Sequence, residues 1–312
     1  MEITGVIAFI VFAGLLLGGM WVAWALGISG LILLFNIGGW NALSPTGLVL
    51  WGSTNNFILT AVPLFVLMGE LLVRSRMSAS LYTAIGQWVQ RLPGGLLHAN
   101  IGGSAVLAAI SGSSMTTALI MGRVAYSEMK ERNYDSARAT GTLVAGGALG
   151  ILIPPSVAMI LYGMMTDTSV AKLFMAGIIP GIALTLLLML YTAVIAVVRP
   201  QKQPLREDPP APILARLGTM MKTIPIFLLI IAVLLSIYLG VATPTEAAAL
   251  GVVGALIVGK VIGSLSLKDI GQSLTSTVRM SAMIMMIVVG GQIFSFGIER
   301  SGVGTAIASW AS

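Results

Sequence analysis

The sequence predicts an all-α polytopic membrane protein, and three observations predict it. Of 312 residues, 57% are hydrophobic and 9% are charged, whereas a soluble domain carries about 25% charged residues to cover its wet surface. The mean hydropathy is +0.98. Between Ile3 and Gly69 there is no charged residue, and the charges that follow gather at the ends of apolar runs. Composition also excludes other classes. Without cysteine there is no disulfide framework, thiolate metal site or cysteine nucleophile. A single histidine, His98, excludes a multi-histidine metal site or a haem pair within the chain. The net charge of +6 would suit nucleic acid, but Lys and Arg beside apolar segments mark cytoplasmic loops. No phosphate loop, catalytic triad or carboxylate pair is present, so the chain reads as something other than an enzyme.

The elements follow in order. Glu2 stands where a signal peptide would carry basic residues, and the apolar stretch outruns signal-peptide length, so no cleavable signal is expected. Residues 1–56 are N-terminal membrane segments, with either one crossing plus a re-entrant or interfacial piece, or two crossings. The run Phe57 to Val73 ends in Arg74 and Arg76, an exit into the cytoplasm. Ser78 to Arg91 is short and partly polar and fits an interfacial arm. Scaffold helix and arm together fill 57–95.

Residues 96–198 hold two short apolar arms and an interrupted segment. Leu96 to Ile110 and Met115 to Met129 are apolar arms of about 15 residues each, where a crossing needs about 20. Basic residues lie outside both arms: Arg91 before, Lys130 and Arg132 after. Two short arms with the same flanking charge predict a re-entrant hairpin, residues 96–129, with Ser111-Gly112-Ser113-Ser114 at its tip. The segment 137–165 is long enough to span but holds Gly150-Ile151-Leu152-Ile153-Pro154-Pro155-Ser156. Adjacent prolines remove two backbone donors and disfavour helix for their predecessors, so the helix breaks there. Leu173 to Val198 returns. A cytoplasmic linker follows over 199–222, with five basic and two acidic residues and the Pro-rich QKQPLREDPPAP. In 223–312, Ile224 to Gly240 goes out, Ala247 to Ile262 comes back, and Met280 to Phe296 goes out to Glu299 and Arg300.

The chain also repeats itself. GELLVRSRMSASLYTAIGQW (Gly69 to Trp88) and GQIFSFGIERSGVGTAIASW (Gly291 to Trp310) share Gly, Thr-Ala-Ile and Trp without gaps. The first helix of one copy ends at Arg74 and Arg76, inside, and that of the other at Glu299 and Arg300, outside. The copies are therefore inverted, as in many secondary transporters whose broken helices meet at the midplane. Carried forward at the same offset, the second tip and second break fall beyond Ser312. The second repeat is therefore expected to be incomplete.

Irregular backbone at membrane depth is tolerated only when buried in protein or lining a wet cavity. At the tip, a half-helix C-terminus offers free carbonyls and the next N-terminus free N–H groups. With serine hydroxyls, the carbonyls can replace water around Na⁺, and the N–H groups can receive a carboxylate. The Pro-Pro break frees carbonyls in Gly150 to Ile153. A cation site shared by tip and break is physically sensible. Elsewhere, Glu70 is placed to pair with Arg74 at i+4. Arg123 lies on the second hairpin arm and is expected to snorkel. His98 is expected to be a hydrogen-bonded surface residue rather than a proton relay. Asn55, Asn56 and Asn100 carry no assignment.

The stretch Ala108 to Gly181 combines AAISGSS, the loop Glu128, Met129, Tyr134 and Asp135, GILIPPS, Tyr162-Gly163 and LFMAGIIPG. It resembles the large (M, DctM-like) membrane subunit of tripartite ATP-independent periplasmic (TRAP) transporters. The resemblance extends through essentially the whole chain, including Pro244 to Ala249 and the Thr-Ala-Ile repeat. It implies an elevator-type fold, with a scaffold, arm helices and a mobile transport domain, in the bacterial inner membrane. It implies Na⁺-driven uptake of small carboxylates such as C4-dicarboxylates or sialic acid. The partners implied are a small four-helix membrane subunit and a periplasmic substrate-binding protein. The family's first sodium site maps onto Ser111 and Ser114 of the tip and onto Gly150, Ile153 and Pro154 of the break, with Gly112, Ser113, Pro155 and Ser156 as immediate neighbours. The second hairpin, the second ion site and part of the substrate site would lie beyond Ser312. The chain is thus expected to be truncated and not to transport by itself. A stand-alone divalent-anion/Na⁺ symporter shares hairpins and inverted repeats but lacks the SGSS-to-GILIPPS text. A proton-moving respiratory subunit needs ionisable residues deep in the membrane, and a passive scaffold would not need the hairpin or the break.

Overall fold

The computed structural model describes residues 2–75, 77–200, 212–303 and 309. Among these residues every regular element is a helix. Six stretches are long and apolar enough to cross a membrane: Val22–Leu43, Phe57–Arg74, Ser136–Met165, Val170–Val198, Pro244–Val261 and Leu267–Ser301. Ile213–Met221 and Ile224–Tyr238, bent by 46°, pass the same test together, and they make a seventh only if the pair is one span. The protein is an all-α polytopic membrane protein.

The chain divides into two compact units, Met1–Phe57 with Val278–Ser312, and Ile58–Thr277. The first unit contains α1 (Glu2–Leu17), α2 (Val22–Leu43) and α3 (Thr46–Thr54), together with the later part of α14 (Leu267–Ser301). At 16 residues α1 falls short of the ~20 a crossing needs, whereas α2 with 22 has the length. Small residues let α2 and α14 approach closely. A Cβ on Gly30 would lie 2.7 Å from the backbone of Ile293 and Phe294, and one on Gly290 would overlap the Ala23 carbonyl. Phe12 of α1 packs on Phe294 with ring centroids 5.6 Å apart. Gly30→Val is therefore expected to lower the thermal unfolding midpoint, since overpacking against backbone costs about 1–3 kcal/mol. Gly14→Ala, where a Cβ meets nothing within 4 Å, should not. Equal midpoints for Gly30→Val and the parent protein would contradict this packing.

The second unit begins within a 3-10 turn (Phe57–Thr60) leading into α4 (Ala61–Arg74), then α5 (Met77–Val89), α6 (Leu96–Ser111), α7 (Ser114–Glu131), α8 (Ser136–Leu152), α9 (Val157–Met165) and α10 (Val170–Val198). It continues with α11 (Ile213–Met221), α12 (Ile224–Tyr238), α13 (Pro244–Val261) and the start of α14. Local chemistry sets several boundaries. Asp135 caps α8 by accepting the Arg138 N–H at 3.0 Å. Thr243 and Glu246 form a reciprocal capping box at the start of α13. Arg74 bonds Glu70 at 3.2 Å, as the i+4 spacing anticipated, and also reaches Gln272 and Ser276 of α14, each at 2.8 Å.

Two expectations need correcting. The segment 199–222 is not all linker: α11 forms within it after Pro212, whose fixed φ suits a helix start. Residues 201–211 lie outside the described residues. α12 starts at Ile224, as expected, and α11 meets it at 46°. His98 is not a surface residue. It is 1% exposed, with Nε2 2.7 Å from the Pro93 carbonyl, because the Gly94-Gly95 turn folds the chain back over it. Arg123 is exposed on α7. In the second copy of the repeat, Thr305, Ala306, Ile307 and Trp310 lie outside the described residues.

Candidate functional site

The hairpin turns on one residue. α6 ends at Ser111 because Gly112 is left-handed (φ +59), a conformation that disfavours any Cβ. The Gly112 N–H bonds the Ala108 carbonyl at 2.8 Å. Ser113 is extended and caps α7, its Oγ accepting the Thr116 N–H at 3.4 Å. The two arms are thus separate helices with a tight turn between them, as the SGSS text predicted.

The second break forms at the expected residues. α8 ends at Leu152, Ile153 is extended, and α9 starts at Val157 after an extended Ser156. A helix carbonyl accepts from the N–H four residues on. For Gly150 and Ile151 those positions are Pro154 and Pro155, which have no N–H. The Gly150 and Ile151 carbonyls are therefore left without a helical donor by the sequence itself.

The two breaks touch. The Val157 N–H donates to the Gly112 carbonyl at 3.2 Å. A Cβ on Gly112 would lie 2.8 Å from the Pro155 carbonyl oxygen, and one on Gly150 would lie 2.7 Å from the backbone of Ser113 and Ser114. Gly147, one turn before Gly150, lies against Ala118 of α7, where a Cβ would come 2.8 Å from the Ala118 Cβ. Glycine is required on both sides of this contact, since backbone, and not the tip of a flexible side chain, occupies the space a Cβ would need.

The hydroxyls are concentrated here. Ser111 Oγ lies 2.9 Å from Thr117 Oγ1, and 3.3 Å from both the N and the O of Ser113. The Ser114 and Ser156 hydroxyl oxygens are buried and have no hydrogen-bond partner. A buried hydroxyl left unsatisfied costs about 1–3 kcal/mol, and the two at this junction are open to a ligand. None of the candidate residues is ionisable. Among the described residues no group of three His, Cys, Asp or Glu could hold a metal. Neutral hydroxyl and carbonyl oxygens suit a singly charged cation. Calcium and magnesium sites ordinarily rest on carboxylates.

The candidate residues do not all point to one centre. Ser111, Gly112, Ser113, Ser114, Gly150 and Ser156 meet at the junction through side chain or backbone. The Ile153 and Pro154 side chains turn away and help line an apolar cavity of about 340 Å³, with Ala105, Ala109, Ile182 and Phe227. Ile153 also packs on Gly181 of α10. Pro155 contributes its carbonyl toward Gly112. Thr117 and Gly147 were not singled out from the sequence. A glycine three residues before Gly150 was visible as a close-approach signal, but Thr117 on an apolar arm looked like any other threonine.

Residues 9–312 match the family described as tripartite ATP-independent periplasmic transporter, DctM component. The chain is 32% identical over 291 residues to a C4-dicarboxylate TRAP transporter large permease protein of Pseudomonas aeruginosa, covering 92% of this chain and 66% of that protein. It is 32% identical over 330 residues to the corresponding Rhodobacter capsulatus protein, covering 98% and 72%. It is 29% identical over 303 residues to a sialic acid TRAP transporter permease protein of Haemophilus influenzae, covering 97% and 48%. The chain thus spans between about half and seven tenths of the length of these curated relatives.

Proposed function

Because the chain belongs to the DctM-component family of tripartite ATP-independent periplasmic transporters, we propose that it is the membrane-conducting subunit of a Na⁺-coupled secondary importer of small organic anions. It is a multi-pass protein of the inner membrane. Its cargo is a carboxylate of the C4-dicarboxylate or sialic acid type, the substrates in the names of its relatives. It receives that substrate from a periplasmic binding protein and works beside a small four-helix membrane subunit. The transport step is the elevator motion of a domain carrying the hairpin and the broken helix.

One observation carries the Na⁺ assignment. Two helices are interrupted at the same place, and the interruptions touch through Gly112 and Val157 at 3.2 Å. Buried backbone without helical bonds is costly, and a lipid-embedded protein keeps it only where it is buried or lines a cavity. The Gly150 and Ile151 carbonyls, with the Ser111, Ser114 and Ser156 hydroxyls, form a set of neutral oxygens able to replace the hydration of a small monovalent cation. The N-termini of α7 and α9 at the same junction offer N–H groups to an anion. Cation and carboxylate held side by side lower each other's cost of leaving water, which is a physical basis for coupling.

The test is uptake by the full-length protein in proteoliposomes, with its membrane partner and binding protein present. Radiolabelled substrate should accumulate when external Na⁺ exceeds internal Na⁺. Replacing Na⁺ by K⁺ at constant ionic strength should abolish accumulation. Equal uptake in the two salts would overturn the coupling ion.

A further inference from the structure

The cavity of about 340 Å³ behind Ile153 and Pro154 is a slot between three helices. Its inner wall is α6, at Ala105 and Ala109, and its floor is the break itself. α10 and α12 form the sides. Along α10 the lining runs from Ile178 to Leu186, eight residues or about 12 Å. One lining side chain, Thr185, has a polar atom, and its hydroxyl already donates to the Gly181 carbonyl at 2.7 Å. A buried water needs two to four polar partners. These side chains offer it none.

The slot has a mouth, and the mouth faces lipid. Ile182, Leu186 and Ile231 are 57%, 60% and 49% exposed, whereas Pro154 at the floor is buried. α10 is a crossing segment, and α12 belongs to the bent pair that passes the same test. The lining starts eight residues from one end of α10 and stops 12 residues from the other. Those distances are about 12 and 18 Å, which places the slot inside a hydrocarbon core about 30 Å thick. The slot is therefore continuous with the surface that the protein presents to the bilayer.

Its occupant must be apolar, slender and supplied by the membrane. A volume of 340 Å³ spread over about 12 Å averages roughly 30 Å² in section, about a third of that of an α-helix, which is 10–12 Å across with its side chains. A partner helix does not enter, but a hydrocarbon chain does. An apolar cavity less than half this size takes up benzene. We propose that the slot binds one acyl chain of a bilayer phospholipid. The chain supplies dispersion contacts that the floor and inner wall lack when the slot is empty. Ile153 then has the chain on one side, and Gly181 with the core of Ile101, Ala108 and Leu149 on the other. The site does not depend on which ion the junction holds.

The experiment uses the full-length protein with its membrane partner, in vesicles of phosphatidylethanolamine and phosphatidylglycerol. A small fraction of the phospholipid carries a diazirine midway along one chain. After irradiation and digestion, labelled residues are located by mass spectrometry. Bulk lipid labels Leu187 and Leu190, which are 61% and 64% exposed on α10, and these serve as the internal control. A chain in the slot also labels Ala105, Ala109 and Ile153. Ala109→Phe fills the slot and should remove the label from Ile153 while Leu187 and Leu190 stay labelled. Ala105→Leu, a smaller change on the same wall, should weaken the Ile153 label in the same way. A parent protein labelled at Leu187 and Leu190 but not at the inner wall or floor overturns the proposal. So does an Ile153 label that both substitutions leave unchanged. An Ile153 label that appears only when the membrane partner is omitted overturns it as well, since the slot then belongs to a side chain of that partner.

Discussion

Replacing Ser111 and Ser114 together by alanine is expected to abolish Na⁺-dependent uptake by the full-length protein while leaving it folded in the membrane. Both hydroxyls lie at the hairpin turn, but they do different things. Ser111 is tied to Thr117 and Ser113, whereas the buried Ser114 oxygen has no partner. A hydrogen bond or dipole meeting a charged group contributes about 1.5–3 kcal/mol, so losing two weakens ion binding by roughly two to four powers of ten. No physiological Na⁺ gradient makes that up. Folding should tolerate the change, because removing the unsatisfied Ser114 hydroxyl relieves a cost in the ion-free state. The measurement is initial uptake rate against Na⁺ concentration. Unchanged uptake with unchanged Na⁺ dependence would refute the assignment of the tip as the ion site.

The second large effect belongs to Gly150→Val. A Cβ at this position would lie 2.7 Å from the Ser113 carbonyl carbon and the Ser114 nitrogen, and no rotamer change moves backbone out of the way. α8 and the tip must separate by several tenths of an ångström or more. That separation breaks the register between the tip hydroxyls and the break carbonyls. Overpacking of this kind costs about 1–3 kcal/mol in stability, but the loss of function should be larger, because ion coordination fails with small displacements. Uptake is expected to fall below detection, with expression in the membrane retained. The comparison is Gly141→Ala on the same helix, where a Cβ meets nothing within 4 Å and uptake should be near the parent level. Comparable uptake from Gly150→Val and Gly141→Ala would mean that the tip and the break do not work as one site.

What could be read in the sequence was local chemistry. The hairpin arms were expected at 96–110 and 115–129, and the helices run Leu96–Ser111 and Ser114–Glu131. The break was expected at 150–156, and the helices stop at Leu152 and restart at Val157. Glycine, serine and adjacent prolines act on their own backbone, so their effect is visible without knowing what packs nearby. The Glu70–Arg74 pair was likewise a matter of i+4 spacing. What stayed hidden depends on partners distant in sequence. Arg74 reaching Gln272 and Ser276 of α14 could not be deduced, nor could the close approach of Gly30 to the backbone of Phe294. His98 was misplaced at the surface because burial of a polar residue depends on a carbonyl acceptor, here that of Pro93, which pattern alone does not reveal. α11 is hidden in the sequence by the charged, Pro-rich stretch that precedes it.

The central claim is that the touching interruptions at 111–114 and 150–156 together hold Na⁺. Hydrogen–deuterium exchange of the full-length protein in NaCl and in KCl, at equal ionic strength, tests it most directly. If the ion is held there, peptides covering the hairpin turn and the residues around Ser156 and Val157 exchange more slowly in NaCl, while those from α2 and α13 do not change. Identical exchange in the two salts across both interruptions would contradict it.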